Sequence, residues 1–178
     1  MRQDLQILLS HETTEWYTPE RYINLAKLAM NGIDLDPASN STAQKWIRAK
    51  TYYTIQNDGL NSPWFGRVFL NPPYSKTNGK SNQEIWAKKL IVEYQAGRVS
   101  EAIMLAKSAL GYKWFEEVWD KSVAVCLARD LINFIKPDGS TNGPAKLGST
   151  FFYWGPNSQR FKFYFDEIGR VIYEAKTK

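Results

Sequence analysis

VFLNPPYSK, residues 68–76, sets three strongly apolar residues directly against an asparagine, two prolines and a tyrosine. Val68, Phe69 and Leu70 read as a short buried strand, bounded by Gly66 before it and Pro72 after it. Each proline fixes its own φ at about −65° and pushes the preceding residue toward extended conformations. Pro72 therefore restrains Asn71, and Pro73 restrains Pro72. The Asn71 carboxamide oxygen and the Pro72 carbonyl can then stand as two neighbouring acceptors, with the flat face of Tyr74 beside them. Two acceptors next to a ring platform suit a planar heterocycle or amide that carries an NH2 group.

Working outward, strands and helices alternate. TPERYINLAKLAMNG reads as a helix with Thr18 as N-cap, Pro19 at the first helical position and Gly32 at its end. IDL at 33–35 reads as a strand that runs into DPASN. TAQKWIRA reads as a short helix and YYTI as a short strand. SNQEIWAKKLIVEYQAG opens with a Ser81/Glu84 capping box and stops at Gly97. AIMLA at 102–106 is a buried strand and YKWFEEVW a helix with an aromatic face. SVAVCLA and LINFI read as strands interrupted at Arg129-Asp130, and 136–148 as one long polar, Gly-rich loop. STFFYW is a strand. NSQRFKFYFDEIG fits either period, with Ser158 and Gly169 favouring a helix.

This alternation implies an α/β fold whose sheet is mostly parallel, with helices on both faces. No repeat or long linker divides the chain, so 1–178 reads as a single domain without a separate target-recognition domain. Ligands of such sheets sit beyond the carboxyl ends of the strands. DPASN and NPPYS both follow expected strands, and both should open onto that edge.

Composition narrows the partners. One Cys and one His among 178 residues exclude a disulfide framework and a Cys/His zinc site, so no metal is expected. Cys126, in an apolar run, reads as a small core residue. No apolar stretch approaches the ~20 residues of a membrane span, and MRQDLQILLSHETTEW lacks a signal-peptide pattern; a cytoplasmic protein is expected. Net charge is +5, from 23 Lys and Arg against 18 Asp and Glu. That is compatible with nucleic acid without singling it out. Aromatic content of 15% leaves rings to spare for a planar ligand, although core filling accounts for much of it.

An amino group on a heterocycle or amide is a poor nucleophile, because its lone pair is delocalised. Hydrogen bonds accepted from both of its N–H groups favour a pyramidal nitrogen and become charge-assisted as it attacks an electrophile. With this chemistry in view, Asn71-Pro72-Pro73-Tyr74 resembles the catalytic motif of S-adenosylmethionine-dependent amino-methyltransferases. The ordered set EWYTPE, IDLDPAS, NDGL, GRVFLNPPYSK and WAKKL resembles the bacteriophage DNA N6-adenine methyltransferases of the Dam type. The likeness covers roughly residues 15–110 and continues more weakly through RDLINF and GSTFFYWG.

The resemblance implies a Rossmann-like methyltransferase sheet, shortened relative to larger methyltransferases, and S-adenosylmethionine as cofactor. It places Asp36, Pro37, Ala38 and Ser39 in the cofactor-binding turn and Asp58 at the cofactor adenine. Trp16, Tyr17, Thr18 and Pro19 would lie near the methionine end, and Asn71 would face both cofactor and substrate. The turn departs from the family's Gly-rich form, and no acid between 40 and 57 matches the usual ribose ligand. Double-stranded DNA is the implied partner, with a flipped adenine stacked on Tyr74. Lys76, Lys80, Arg129 and Lys146 are candidate phosphate contacts, and loops 75–80 and 136–148 would close over the duplex. A phage or prophage origin, a monomer or weak dimer, and a role in DNA protection, restriction-modification or regulation complete the expectation.

Blander readings stand beside these. Asp36 and Asp58 can cap loops, Trp16 and Tyr17 can form a hydrophobic staple, and the lysines can be solvated surface charges. Two other functions stay open at this point: methylation of a protein glutamine or an RNA adenine, and a DNA-binding module without catalysis.

Overall fold

The computed structural model describes residues 16–77, 79–141, 143 and 145–173. In chain order the elements are α1 (Glu20–Met30), β1 (Leu35–Asp36), α2 (Gln44–Ile47), β2 (Thr51–Tyr52) and β3 (Gly66–Leu70). A small hairpin follows, β4 (Lys76–Thr77) and β5 (Lys80–Ser81), then α3 (Asn82–Gln95) and β6 (Val99–Lys107). The chain continues through α4 (Lys113–Lys121), β7 (Ala124–Ala128), β8 (Ser149–Trp154), α5 (Ser158–Phe165) and β9 (Gly169–Tyr173).

Seven strands form one sheet in the order β2-β1-β3-β6-β8-β7-β9. The first three pairings are parallel and the last three antiparallel. Five strands therefore point one way, while β8 and β9 oppose them. The expected mostly parallel α/β sheet with helices on both faces is what the chain forms, in keeping with a Rossmann-like methyltransferase fold. Strand order reverses around β1, because the chain moves outward to β2 and then back across to β3.

Side-chain alternation along the strands divides the core in two. Phe69, Ile103, Phe151 and Tyr153 face α1 and α5, where Ile23, Ala26, Met30, Phe161 and Phe165 meet them. Val68, Leu70, Met104, Phe152 and Trp154 face α3 and α4, against Trp86, Leu90, Phe115 and Val118. Burial on both sides makes these strands near-continuous apolar runs. In α5, Phe161 and Phe165 stack with centroids 4.3 Å apart, while Phe163 is 76% exposed. One helical face, and no strand, accounts for that segment.

The structure corrects several readings. Thr18 is not the N-cap of α1: Pro19 holds that position, without a side-chain cap bond. The residue in the left-handed region at the helix end is Asn31, with φ 59°. Ser81 stands at the N-cap of α3 but makes no cap bond, and Glu84 turns to Lys88 instead (2.7 Å). Segment 75–80 is largely the β4–β5 hairpin. LINFI is no strand of the sheet. Ile132 is buried while Leu131 stays exposed, and Ile135 makes isolated bridges to Tyr17 and Thr141, because the run passes along the sheet edge and packs only Ile132, Phe134 and Ile135 against the core. The strand expected at 33–35 begins at Leu35, that of YYTI begins at Thr51, and β9 completes the sheet.

At the amino edge, the Asp34 carboxylate receives Arg67 Nε and Nη2 at 2.7 and 2.9 Å and Lys50 Nζ at 2.9 Å. Arg67 and Lys50 hold its pKa well below the usual carboxylate range. Gly66, at φ 65°, fits tightly there, since a Cβ would lie 2.8 Å from Asp34 Oδ2. This network fixes the start of β1 against the start of β3, and so aligns the two strand ends at the other edge.

Candidate active site at the carboxyl edge

β1 and β3 are adjacent and parallel, with Leu35 opposite Val68. Their continuations, Asp36–Asn40 and Asn71–Ser75, emerge side by side, as the sequence leads one to expect. Trp16 and Tyr17 join the same edge. Tyr17 exchanges two backbone hydrogen bonds with Ile135 (2.8 and 3.0 Å), so the segment after β7 is stitched to the segment before α1.

Asn71 is fixed from both ends. Its Nδ2 donates to the Trp16 carbonyl (3.3 Å) and its Oδ1 accepts from the Tyr74 hydroxyl (2.9 Å). Together these bonds assign the amide orientation and leave Oδ1 with a second lone pair. No hydrogen bond to the Pro72 carbonyl forms among the described residues. Tyr74 is held by three neighbours: Asn71, the edge of Phe134 (5.9 Å, T-shaped) and the Lys107 ammonium, 4.7 Å from the ring centroid. Burial pushes the Tyr74 phenol up, so it remains a donor to Asn71. Asn82 anchors the following hairpin, with Nδ2 donating to Ser75 Oγ at 2.8 Å.

Asp36 is only 2% exposed and has no cationic partner among the described residues. Gln44 Nε2 donates to both Asp36 Oδ2 and Ser39 Oγ (2.8 Å each), while Gln44 Oε1 accepts the Ala49 N–H (2.9 Å). Burial raises the Asp36 pKa to about 6, against the lowering effect of Ser39, the Ala38 amide and Gln44. Asn40 closes the turn ahead of α2, its Oδ1 accepting from Thr42 and Ala43 N–H (2.9 and 3.0 Å), and its Nδ2 donates to the Tyr17 hydroxyl at 3.1 Å. Trp46 closes the wall, packing edge-on to Tyr17 and donating to the Thr18 carbonyl (3.1 Å).

Thr18 Oγ1 is buried and has no hydrogen-bond partner. An orphaned hydroxyl and a buried carboxylate without a cation each carry a cost that a ligand with N–H and O–H groups would relieve. Those residues fit a polar, partly cationic cofactor.

Asp58 is exposed with φ 49°, and its Oδ2 accepts from Asn61 Nδ2 (2.7 Å). Its neighbour Gly59 presses on the Asp36 turn: a Cβ there would stand 2.0 Å from the Pro37 carbonyl oxygen. Lys76, Lys80, Arg129 and Lys146 are all exposed. The first two lie on the β4–β5 hairpin, Arg129 directly follows β7, and Lys146 lies shortly before β8. Sequence reasoning missed Gln44, Gly59, Lys107 and Phe134. Gly59 carried a legible signal, a glycine inside NDGL; the other three become visible only through tertiary contact.

The family model for DNA N-6-adenine-methyltransferases (Dam) matches residues 7–165. The chain belongs to this family. No curated protein matches its sequence. The matched span takes in every segment of the candidate site in this Dam-family chain, from Trp16 through Asp36, Asp58 and Asn71 to Lys146. No helix among the described residues is long and apolar enough to cross a membrane. No group of three or more His, Cys, Asp or Glu among them could hold a metal.

Proposed function

We propose that this chain transfers a methyl group from S-adenosylmethionine to the exocyclic amine of an adenine turned out of double-stranded DNA. The observation that carries the reading is the doubly anchored Asn71 at the carboxyl end of β3, one strand from the buried Asp36 turn. When bound, S-adenosylmethionine supplies an electrophilic methyl carbon on a sulfonium that leaves as a neutral thioether.

The remaining work falls to the chain. Asp36 and Ser39, oriented by Gln44, offer acceptors to hydroxyl or ammonium groups of the cofactor. Thr18 adds the hydroxyl that lacks a partner. Asp58 lies on the loop that Gly59 packs against this turn, within the segment that would meet the adenine of the cofactor. Asn71 Oδ1 and the Pro72 carbonyl accept the two amine hydrogens, and Pro73 restrains that carbonyl. As the nitrogen gains positive charge both bonds strengthen, which lowers the barrier selectively. The surplus proton then leaves to water. Tyr74 offers the target base its ring while Lys107 covers part of that ring. Lys76, Lys80, Arg129 and Lys146 supply positive charge along the edge a duplex would approach.

The test is to incubate the protein with methyl-labelled S-adenosylmethionine and equal masses of duplex DNA, RNA and protein acceptors. Label is expected in DNA. Transfer confined to RNA or protein would replace the substrate, and duplex binding without transfer would leave a non-catalytic module.

A further inference from the structure

At the far end of the same edge, α5 and the last two strands enclose a notch lined by Arg129, Lys162, Asp166 and Arg170 over Leu127 and Val171. Backbone pairing builds it. Arg170 stands opposite Leu127 in the β7–β9 ladder, and the Arg129 N–H donates to the Ile168 carbonyl (2.8 Å). Gly169 allows this approach, since a Cβ would lie 2.2 Å from the Leu127 carbonyl oxygen. Lys162 is tied to Asp166 in a close ion pair. Arg129 and Arg170 are exposed and form no ion pair among the described residues. The notch therefore offers two uncommitted guanidinium groups. By contrast, the depression beside α4 sets Glu116, Glu117 and Asp120 against Lys113 and Lys121, which repels an anion.

We infer that this notch is a clamp for the phosphate backbone of duplex DNA, at a distance from the reacting base; the inference rests on the DNA-methyltransferase reading. Guanidinium groups suit phosphate because they bind its oxygens through paired N–H donors. Position decides which phosphate. β7 lies three strands from β3 and β9 lies four. At about 4.8 Å per strand these offsets are roughly 14 and 19 Å. At about 3.4 Å per base pair they correspond to roughly four to six base pairs. A duplex laid along the carboxyl edge, with its target nucleotide at Asn71, would bring a backbone phosphate to Arg129 and Arg170 at that separation.

The experiment measures duplex affinity against potassium chloride concentration for the full chain, for Arg129→Gln, Arg170→Gln and the double variant. A control removes two charges elsewhere, Lys113→Gln with Lys121→Gln. Each arginine change should reduce the slope of log affinity against log salt by about 1. The double variant should raise KM for duplex by about tenfold or more with kcat retained, and leave S-adenosylmethionine affinity unchanged by calorimetry. Phosphates whose ethylation weakens wild-type binding should include ones four to six base pairs from the methylated adenine, and that interference should vanish in the double variant. Wild-type slopes in the arginine variants, or an equal loss in the lysine control, overturn the clamp while the methyltransferase reading stands. A wild-type chain that binds no duplex takes both down.

Discussion

At the scale of single residues, the candidate site carries a local cost in stability. Asp36 is buried without a cation, so charging it costs free energy. Its folded pKa of about 6 lies above the unfolded value, so the sign is the reverse of the usual carboxylate. Stability is full below the unfolded pKa near 4 and is lost as pH rises through about 6. At roughly 1.4 kcal/mol per pH unit, the loss is on the order of 3 kcal/mol. Asp36→Asn should therefore unfold at a higher temperature than wild type at pH 8, converge with it near pH 4, and lose cofactor affinity. Calorimetry on the ligand-free protein checks this, and a destabilised variant at pH 8 would show that the carboxylate has a cationic partner.

Tyr74 offers a second residue-scale test. Its hydroxyl donates to Asn71 Oδ1, so Tyr74→Phe keeps the ring and frees the amide. Loss of one such bond, about 1.4 kcal/mol, corresponds to about tenfold in kcat with little change in KM. Tyr74→Ala should lose far more and raise KM for duplex. Equal kinetics in wild type and Tyr74→Phe would remove the hydroxyl from the account. Asn71 and Tyr74 were legible from the sequence because two prolines and a strand end restrict local geometry. Gln44 was not, since its role is set by a partner eight residues away and by the Ala49 amide.

At the scale of elements, the Asp36 turn is shaped by a neighbouring loop. DPAS has no glycine for close approach, and Gly59 supplies one from outside. Trp64 holds that loop from beneath, donating its indole N–H to the Gly59 carbonyl (2.7 Å). Gly59→Ala must push the loop off Pro37, at a cost of about 1–3 kcal/mol, and should weaken cofactor binding more than DNA binding. Comparing the two affinities by titration decides this; equal losses would point to general unfolding. Periodicity found the long helices and the strands with apolar runs. It misjudged LINFI because a crossing segment that buries Ile132 has the composition of a strand. It missed β9 because an edge strand with Arg170 and Ile172 exposed has little apolar signature.

At the scale of the whole molecule, the two sheet edges divide the labour. The amino edge carries Asp34–Arg67–Lys50 and the Glu93–Arg98 pair, while the carboxyl edge carries Asn71, Asp36 and the arginine notch. Arg67→Ala should therefore lower stability by roughly 2 kcal/mol yet leave ligand affinities intact in the folded protein. Denaturant titration and calorimetry separate the two, and a lost cofactor affinity in folded Arg67→Ala would break the division. The strand order that brings DPAS beside NPPY was legible as a shared edge. The reversal of β8 was not, because direction depends on where the connection after β7 re-enters the sheet, and it returns at the same edge, so that β8 runs antiparallel to β7.

The most direct measurement is nucleoside analysis of duplex DNA after reaction with methyl-labelled S-adenosylmethionine. Label in N6-methyladenine is expected from wild type, with Asn71→Ala slower by about two orders of magnitude or more. Label on cytosine, or N6-methyladenine formed equally fast by Asn71→Ala, would contradict the account.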